Sequence, residues 1–339
     1  MSTNETAYCV EVLAATVFYV PYQLYYLTCT IFSIISLFLI VYFLRVYIWK
    51  STFHPSFKIL TAIYFLATFC HSLCFIAGSV MLLERILSYA EPCDITFRRI
   101  PYTLVHYPLA CSLAVGLLTQ TILVFERLVA TIKHENYEHF YSRFYLFLFL
   151  ILTVVFPCFA IIWIYRHGDF GQPVISILSP PANVENGLGR GFILAFFISF
   201  AALAILIYLQ IANRRLERRL DFSLSGKFQI HENVRTTSFI TRILILNMII
   251  TILYSGGVFA LRNYRFEALE NNKPFGHFLR NLFYLHPLNA VVVPTMSIMH
   301  VARMKRKRVK TSTDHIRMPS KGKEAAEAYL KMLRDQWSQ

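Results

Sequence analysis

Seven long apolar stretches, separated by shorter polar and mostly basic connections, make up most of this chain: 23–48, 59–83, 102–125, 144–165, 192–212, 239–261 and 278–301. Each can supply the roughly 20 apolar residues that a helix needs to cross a hydrocarbon core of about 30 Å. None alternates apolar and polar positions with period two, as barrel strands do, so the pattern predicts helices. The expected fold class is all-α, an integral membrane seven-transmembrane helix bundle over 23–301, with an N-terminal segment (1–22) before it and a basic tail (302–339) after it. The last stretch is the least regular, because His286, Pro287, Asn289 and Pro294 interrupt it. Such groups survive at membrane depth only where neighbouring helices shield them.

Composition agrees with that pattern. Of 339 residues, 56% are hydrophobic and 15% charged, too few polar residues for an ordinary soluble surface. A net charge of +14 would point to nucleic acid if it covered one face, but most of the 33 Lys and Arg lie between and after the apolar runs. Nucleic acid is therefore not an expected partner. Placing the N-terminus outside puts segments 45–58, 126–143, 213–242 and everything after 301 in the cytosol, and these hold most of the cations, as the positive-inside rule requires. An extracellular N-terminus and a cytosolic tail follow. Asn4-Glu5-Thr6 suits this orientation as a glycosylation acceptor at Asn4. The opening residues lack a basic n-region, and the apolar stretch reached near Tyr22 is too long for a cleavable signal, so the first span is expected to direct its own insertion. Lys305 to Lys310 form a basic clamp at the membrane face, and membrane lipid is an expected partner. Leu330, Leu333 and Trp337 recur at helical spacing in the tail, as a surface helix would have them.

Cys29, Cys70, Cys74, Cys111 and Cys158 lie within spans, where cysteine behaves as a small apolar residue. Cys9 and Cys93 face the oxidising side and form a candidate disulfide. Enzyme chemistry finds no support. In His134-Glu135-Asn136-Tyr137-Glu138-His139 the second histidine stands five residues on, where one helical turn does not bring both onto the same face for zinc. The chain lacks a Gly-rich phosphate loop and a Gly-x-Ser-x-Gly elbow, so no catalytic residue, metal or cofactor is expected. The cores of the spans carry no Asp, Glu, Lys or Arg, which weighs against the alternative of a ligand-gated channel or transporter of seven spans.

The third stretch ends in Glu126-Arg127, an acid and a base side by side at the cytosolic edge, where a charge must be paired or snorkel to water. With Ala130, Thr131, Tyr137 and Glu138 they complete Glu-Arg-x-x-Ala-Thr-x-x-x-x-x-Tyr-Glu. This segment resembles the third-helix signature of the nematode serpentine chemoreceptors of the Sra superfamily, which are similar to G-protein-coupled receptors. Phe53-His54-Pro55-Ser56-Phe57-Lys58-Ile59-Leu60 resembles that family's first inner loop, with Ser56 where Asn is usual. Phe228-Gln229-Ile230-His231-Glu232-Asn233-Val234-Arg235 resembles the segment entering its sixth helix. Among members, the Sre type looks most similar and the Srab type next.

The resemblance implies a G-protein-coupled chemosensory receptor. Such a protein binds a small-molecule cue in an outer helical cavity and activates a heterotrimeric G protein at the cytosolic face. It would be a multi-pass plasma-membrane protein of the sensory cilium of chemosensory neurons, with homo- or hetero-oligomerisation left open. Glu126, Arg127, Tyr137, Glu138 and Arg235 are the candidate coupling and switch residues. Glu232 stands too early to complete a charged lock from the sixth helix to Arg127, so such a lock is not expected. By depth, His106, Tyr107, Cys111, Phe196, Phe200, Tyr254 and Tyr284 are candidate ligand contacts, an aromatic set suited to a small, mostly apolar molecule. Pro287, Asn289 and Pro294 are candidate hinge residues, since both prolines would kink a helix that contained them.

Overall fold

The computed structural model describes residues 9–49, 53–133, 143–170, 174–181, 183–217, 224–263, 272–316 and 323–337. Seven helices are long and apolar enough to cross a membrane: Val20–Ile48, Pro55–Ser88, Cys93–Ile132, Phe147–Tyr165, Gly187–Glu217, Asn233–Gly257 and Lys273–Arg306, the first to seventh spans.

The first span shows why these stretches become membrane helices. Tyr22, Tyr26, Cys29, Ser33, Ser36, Ile40 and Phe43 recur in alternating steps of four and three, and all are buried. That periodicity is the stripe by which one helix packs against others. The opposite face is just as apolar, and Leu24, Leu27, Ile31, Phe38 and Val41 on it are exposed. A face of that kind is stable only in lipid. Serine on the inner stripe lets helices approach closely: the hydroxyls of Ser36 and Ser72 lie 2.7 Å apart and join the first two spans.

The third span is the hub of the bundle, packing against the second, fourth, fifth and sixth, and the ring closes where the seventh meets the first. Two large apolar clusters and a smaller one around Ala110, Ile161 and Tyr165 fill the interior. Of the large ones, one gathers Phe43, Phe57, Phe65, Leu206, Phe239 and Leu244 at the end that carries Arg127. The other gathers Tyr22, Tyr26, Phe75, Tyr102, Ile177 and Tyr284 at the opposite end.

Two features differ from the sequence reading. The segment 213–242 was expected as a loop, yet most of what is described of it is helix, in Glu185–Glu217 and Leu224–Asn263. The second of these has 40 residues and at 1.5 Å per residue is about 60 Å long, twice the hydrocarbon core. Arg214 and Arg215 fall in the last turn of the first, where cations complement the helix dipole. The seventh span, in turn, is broken into helices Lys273–Leu282 and His286–Ile316. Pro287 therefore starts a helix rather than kinking one, because at a first turn its missing N–H costs nothing. Pro294 does lie inside the helix. The tail helix expected near Leu330 is present as Lys323–Trp337.

The connection between the fourth and fifth spans dips into the end opposite Arg127. Ile175, Ser176 and Ile177 are all buried there. Tyr26 Oη lies 2.5 Å from Ser176 Oγ, Tyr102 donates to the Ser179 carbonyl at 2.5 Å, and the Phe97 N–H donates to the Val174 carbonyl at 2.9 Å. The buried backbone also finds a partner, the Ile177 carbonyl lying 2.6 Å from His106 Nδ1. Cys93 is disulfide-bonded, while Cys29, Cys70, Cys74, Cys111 and Cys158 are free thiols. The side chain of Cys9 lies outside the described residues, but its segment Cys9–Ala14 packs against Pro92–Ile95.

Ile177 rests on Gly78 of the second span so closely that a Cβ at that glycine would overlap its side chain. Gly78→Val is expected to expel Ile177 or shift the helix, an overpacking cost of about 1–3 kcal/mol. A thermal-unfolding midpoint several degrees below that of the parent in detergent is the expected result, with Gly191→Val as a control, since nothing lies within 4 Å of a Cβ there.

Candidate signalling site

Arg127 sits near the end of helix Arg99–Ile132 and is 1% exposed, with Glu126 beside it at 0%. A buried guanidinium requires nearly all its donors to be matched. Its Nε donates to Glu126 Oε2 at 2.5 Å, and its Nη2 donates to Glu126 Oε1, a two-point pairing of fork and carboxylate. Nη1 turns to the sixth span and donates to Thr236 Oγ1 at 2.7 Å and to Asn233 Oδ1 at 3.3 Å. From the second span, the Phe57 ring covers the guanidinium carbon at 5.2 Å from its centroid, within cation–π range.

The surrounding amides extend this grip. Asn233 Nδ2 donates back to the Ala130 carbonyl at 3.0 Å, and Asn213 Nδ2, on the fifth span, donates to Thr131 Oγ1 at 3.1 Å. Four spans are thus tied around one charge. The side chain of Glu232 lies outside the described residues, and the described links from the sixth span to Arg127 come from Asn233 and Thr236. Beyond their spacing, the sequence gives no notice of these two neutral partners of Arg127. Asn233 and Thr236, one helical turn apart, present an acceptor pair on one face, and that spacing was the available signal.

Deeper in the bundle Asn289 Nδ2 donates to Asn247 Oδ1 at 2.5 Å, and Asn247 Nδ2 donates to Tyr64 Oη at 3.1 Å. Asn289 is 3% exposed, so the candidate hinge residue serves to bond the seventh span to the sixth and, through Asn247, the second. At the break in the seventh span, Tyr284 places its hydroxyl against His71 Nε2, while its backbone carbonyl accepts from Tyr25 Oη at 2.9 Å. The carbonyl freed by the interrupted helix is thereby satisfied.

The expected ligand contacts do not come together as one set. His106 is buried; its Nδ1 lies 2.6 Å from the Ile177 carbonyl and its Nε2 2.9 Å from Tyr165 Oη. Tyr107 stacks on Phe170 at 5.6 Å beside that group, and Cys111 packs in the same small cluster. Tyr254 and Tyr284 form a second group with ring centroids 5.7 Å apart. Phe196 and Phe200 stack on each other at 6.5 Å on the fifth span, and Phe200 faces outward, 56% exposed. The plug of Ile175 to Ile177 fills the space toward which the inward members point. Arg235 is half-buried just past Asn233. Tyr137, Glu138 and Asn4 lie outside the described residues.

A family model for the serpentine type 7TM GPCR chemoreceptor Sra matches residues 1–337. In Caenorhabditis elegans, serpentine receptor class beta-16 is 43% identical over 326 residues, covering 96% of this chain and 95% of that protein. Serpentine receptor class beta-17 is 24% identical over 309 residues, covering 90% and 84%. Serpentine receptor class alpha-12 is 25% identical over 245 residues, 70% of each chain. These relatives carry class beta and class alpha names, so the resemblance to the Sre and Srab types is not supported. Matched along nearly its whole length, the chain belongs to the family of serpentine 7TM GPCR chemoreceptors of the Sra type.

Proposed function

We propose that this chain is a chemosensory receptor that answers a small-molecule cue by loosening the Arg127 cluster and admitting a heterotrimeric G protein at that end. The observation that carries the reading is the bond from Arg127 on the third span to Asn233 and Thr236 on the sixth. It holds two spans together around a buried charge, and a receptor must part such helices to expose an inner crevice. The positive-inside distribution supports a cytosolic placement of this end, with the N-terminus outside, and the plasma membrane of a sensory cilium is the proposed location.

The ligand acts at the opposite end, where His106, Tyr107, Tyr254 and Tyr284 surround the loop plug. A small apolar cue binds there by displacing Ile177 or by stacking beside it. Tyr137 and Glu138, on the resemblance of their segment, and Arg235 join Arg127 in contacting the G protein. Glycosylation at Asn4 and a bridge between Cys9 and Cys93 belong to the same outer face.

In a cell with a cyclic-nucleotide or calcium readout, Arg127→Ala is expected to abolish the response to an active odorant while surface expression persists. Normal signalling by that variant would refute the assignment, and a response that survives blockade of G proteins would favour a channel. Thr236→Val removes one charge-assisted hydrogen bond, worth roughly 1.5–3 kcal/mol, and is expected to raise basal signalling about tenfold or more without abolishing the ligand response. Basal output unchanged from the parent would mean that the bond does not restrain the sixth span.

Cys9→Ser is expected to free the Cys93 thiol. Mass-spectrometric mapping of alkylated peptides without reduction should find Cys93 modified in the variant and protected in the parent. Cys93 protected in both would assign it another partner.

A further inference from the structure

Between the sixth and seventh spans, at the Arg127 end, runs a groove walled by Ile243, Leu246, Val293 and Met296 and rimmed by Arg242 and His300. Arg242 is exposed on a span surface that otherwise presents Ile245, Ile249, Ile252 and Leu253 to lipid. Its guanidinium makes no salt bridge to a carboxylate among the described residues; Nη1 instead meets His300 Nδ1 at 2.9 Å. That contact fixes the state of the imidazole. An arginine has only donors, so Nδ1 must be the acceptor and the ring proton must sit on Nε2. Nε2 is buried and has no hydrogen-bond partner among the described residues. The rim of an apolar slot therefore holds an exposed cation with no anionic partner among the described residues.

Charge along both helices points the same way. From Arg235 to Asn263 the only ionised residues are arginines, and from His286 to Lys310 every charged side chain is Lys or Arg. Arg303, Lys305 and Arg306 follow His300 on the same helix, and Lys305 lies over the Tyr47 ring at 4.9 Å. A free anion would satisfy the rim but leave the apolar walls uncovered; a neutral lipid would cover the walls but bring no net charge for the cations.

We propose that this groove binds an anionic glycerophospholipid of the adjacent leaflet, one acyl chain laid along the sixth and seventh spans and the headgroup phosphate on Arg242. The occupant bears on the signalling site through packed rings. Phe239 stands 5.8 Å from His300 on one side and 6.1 Å from Phe57 on the other, and Phe57 covers Arg127. The lipid thus seats against the part of the sixth span that must move if Arg127 is to be released.

Native mass spectrometry of the full chain in mild detergent, titrated with phosphatidylserine, a phosphatidylinositol phosphate or phosphatidylcholine, tests this without any reading of G-protein coupling. The two anionic lipids are expected to give more adducts than phosphatidylcholine. Arg242→Gln should lower the anionic adducts about fivefold, the worth of one interfacial cation, whereas Arg334→Gln in the tail helix should leave them unchanged. Ile243→Trp, which fills the slot, should also reduce them, with unfolding temperature as the check that the bundle is intact. Excess soluble inositol phosphate should not displace the lipid, because it cannot fill the apolar walls. Equal binding of phosphatidylcholine, an Arg242→Gln variant that binds like the parent, or displacement by the free headgroup alone would each overturn the proposal.

Discussion

A guanidinium taken out of water must be met by partners on nearly every side, because the cost of a bare charge in a low-dielectric interior exceeds what packing returns. Arg127 meets that demand with side chains from its own helix and from two others, and the geometry of this end of the bundle follows. Glu126 can pair with it only if the last turns of the third helix are shielded, which Phe57 does from the second span. Thr236 can reach it only if the sixth helix stays regular through the start of its span, as helix Leu224–Asn263 does. Asn213 can support Thr131 only if the fifth helix runs beside the third. A neutral side chain at Arg127 would leave all three of these placements without a common purpose.

The bundle was legible in the sequence because its signal is redundant. Each span repeats the same message, and one polar interruption, as at His286 and Pro287, does not erase a stretch of more than 20 residues. Which face turns inward was not legible, because the two faces of the first span are equally apolar and only burial singles out the stripe of Tyr22, Tyr26, Cys29, Ser33, Ser36, Ile40 and Phe43. Ends of helices were hard as well. Membrane hydropathy stops at the water boundary, whereas helices need not, so hydropathy puts Arg214 and Arg215 in a connection although they lie in the last turn of a helix. Pro287 was placed inside a helix for a similar reason: proline marks a discontinuity, but only the backbone shows on which side of it the helix lies.

The site was legible in part. Arg127 announced itself, since a charge at the end of an apolar run has to be explained. Its partners on the sixth span did not, because Asn233 and Thr236 are neutral and gain significance only from the residue they face. The aromatic set at the opposite end illustrates the reverse error. Depth along a helix constrains how far a side chain lies from the membrane surface but not the direction in which it points, and so Phe200 was grouped with His106 although one faces lipid and the other is buried. The plug of Ile175 to Ile177 could not be foreseen from hydropathy, being too short for a span and set in a connection.

Hydrogen bonds at three depths couple the sixth span to its neighbours: Thr236 with Arg127, Asn233 with the Ala130 carbonyl, and Asn247 with Asn289 and Tyr64. A rigid displacement of that span cannot break one and spare the rest, since all ride on a single helix. The cost of unpairing therefore rises steeply with the first movement and hardly at all afterwards, which is the profile of a two-state element rather than of a gradually yielding one. In lipid the broken groups have no water to turn to. Under the proposed mechanism, the open state becomes populated only when something supplies new partners: water entering a crevice, or polar groups of the protein that docks there. A ligand at the far end needs to contribute only the difference, and the coupling partner gains from the same pairing that its arrival completes.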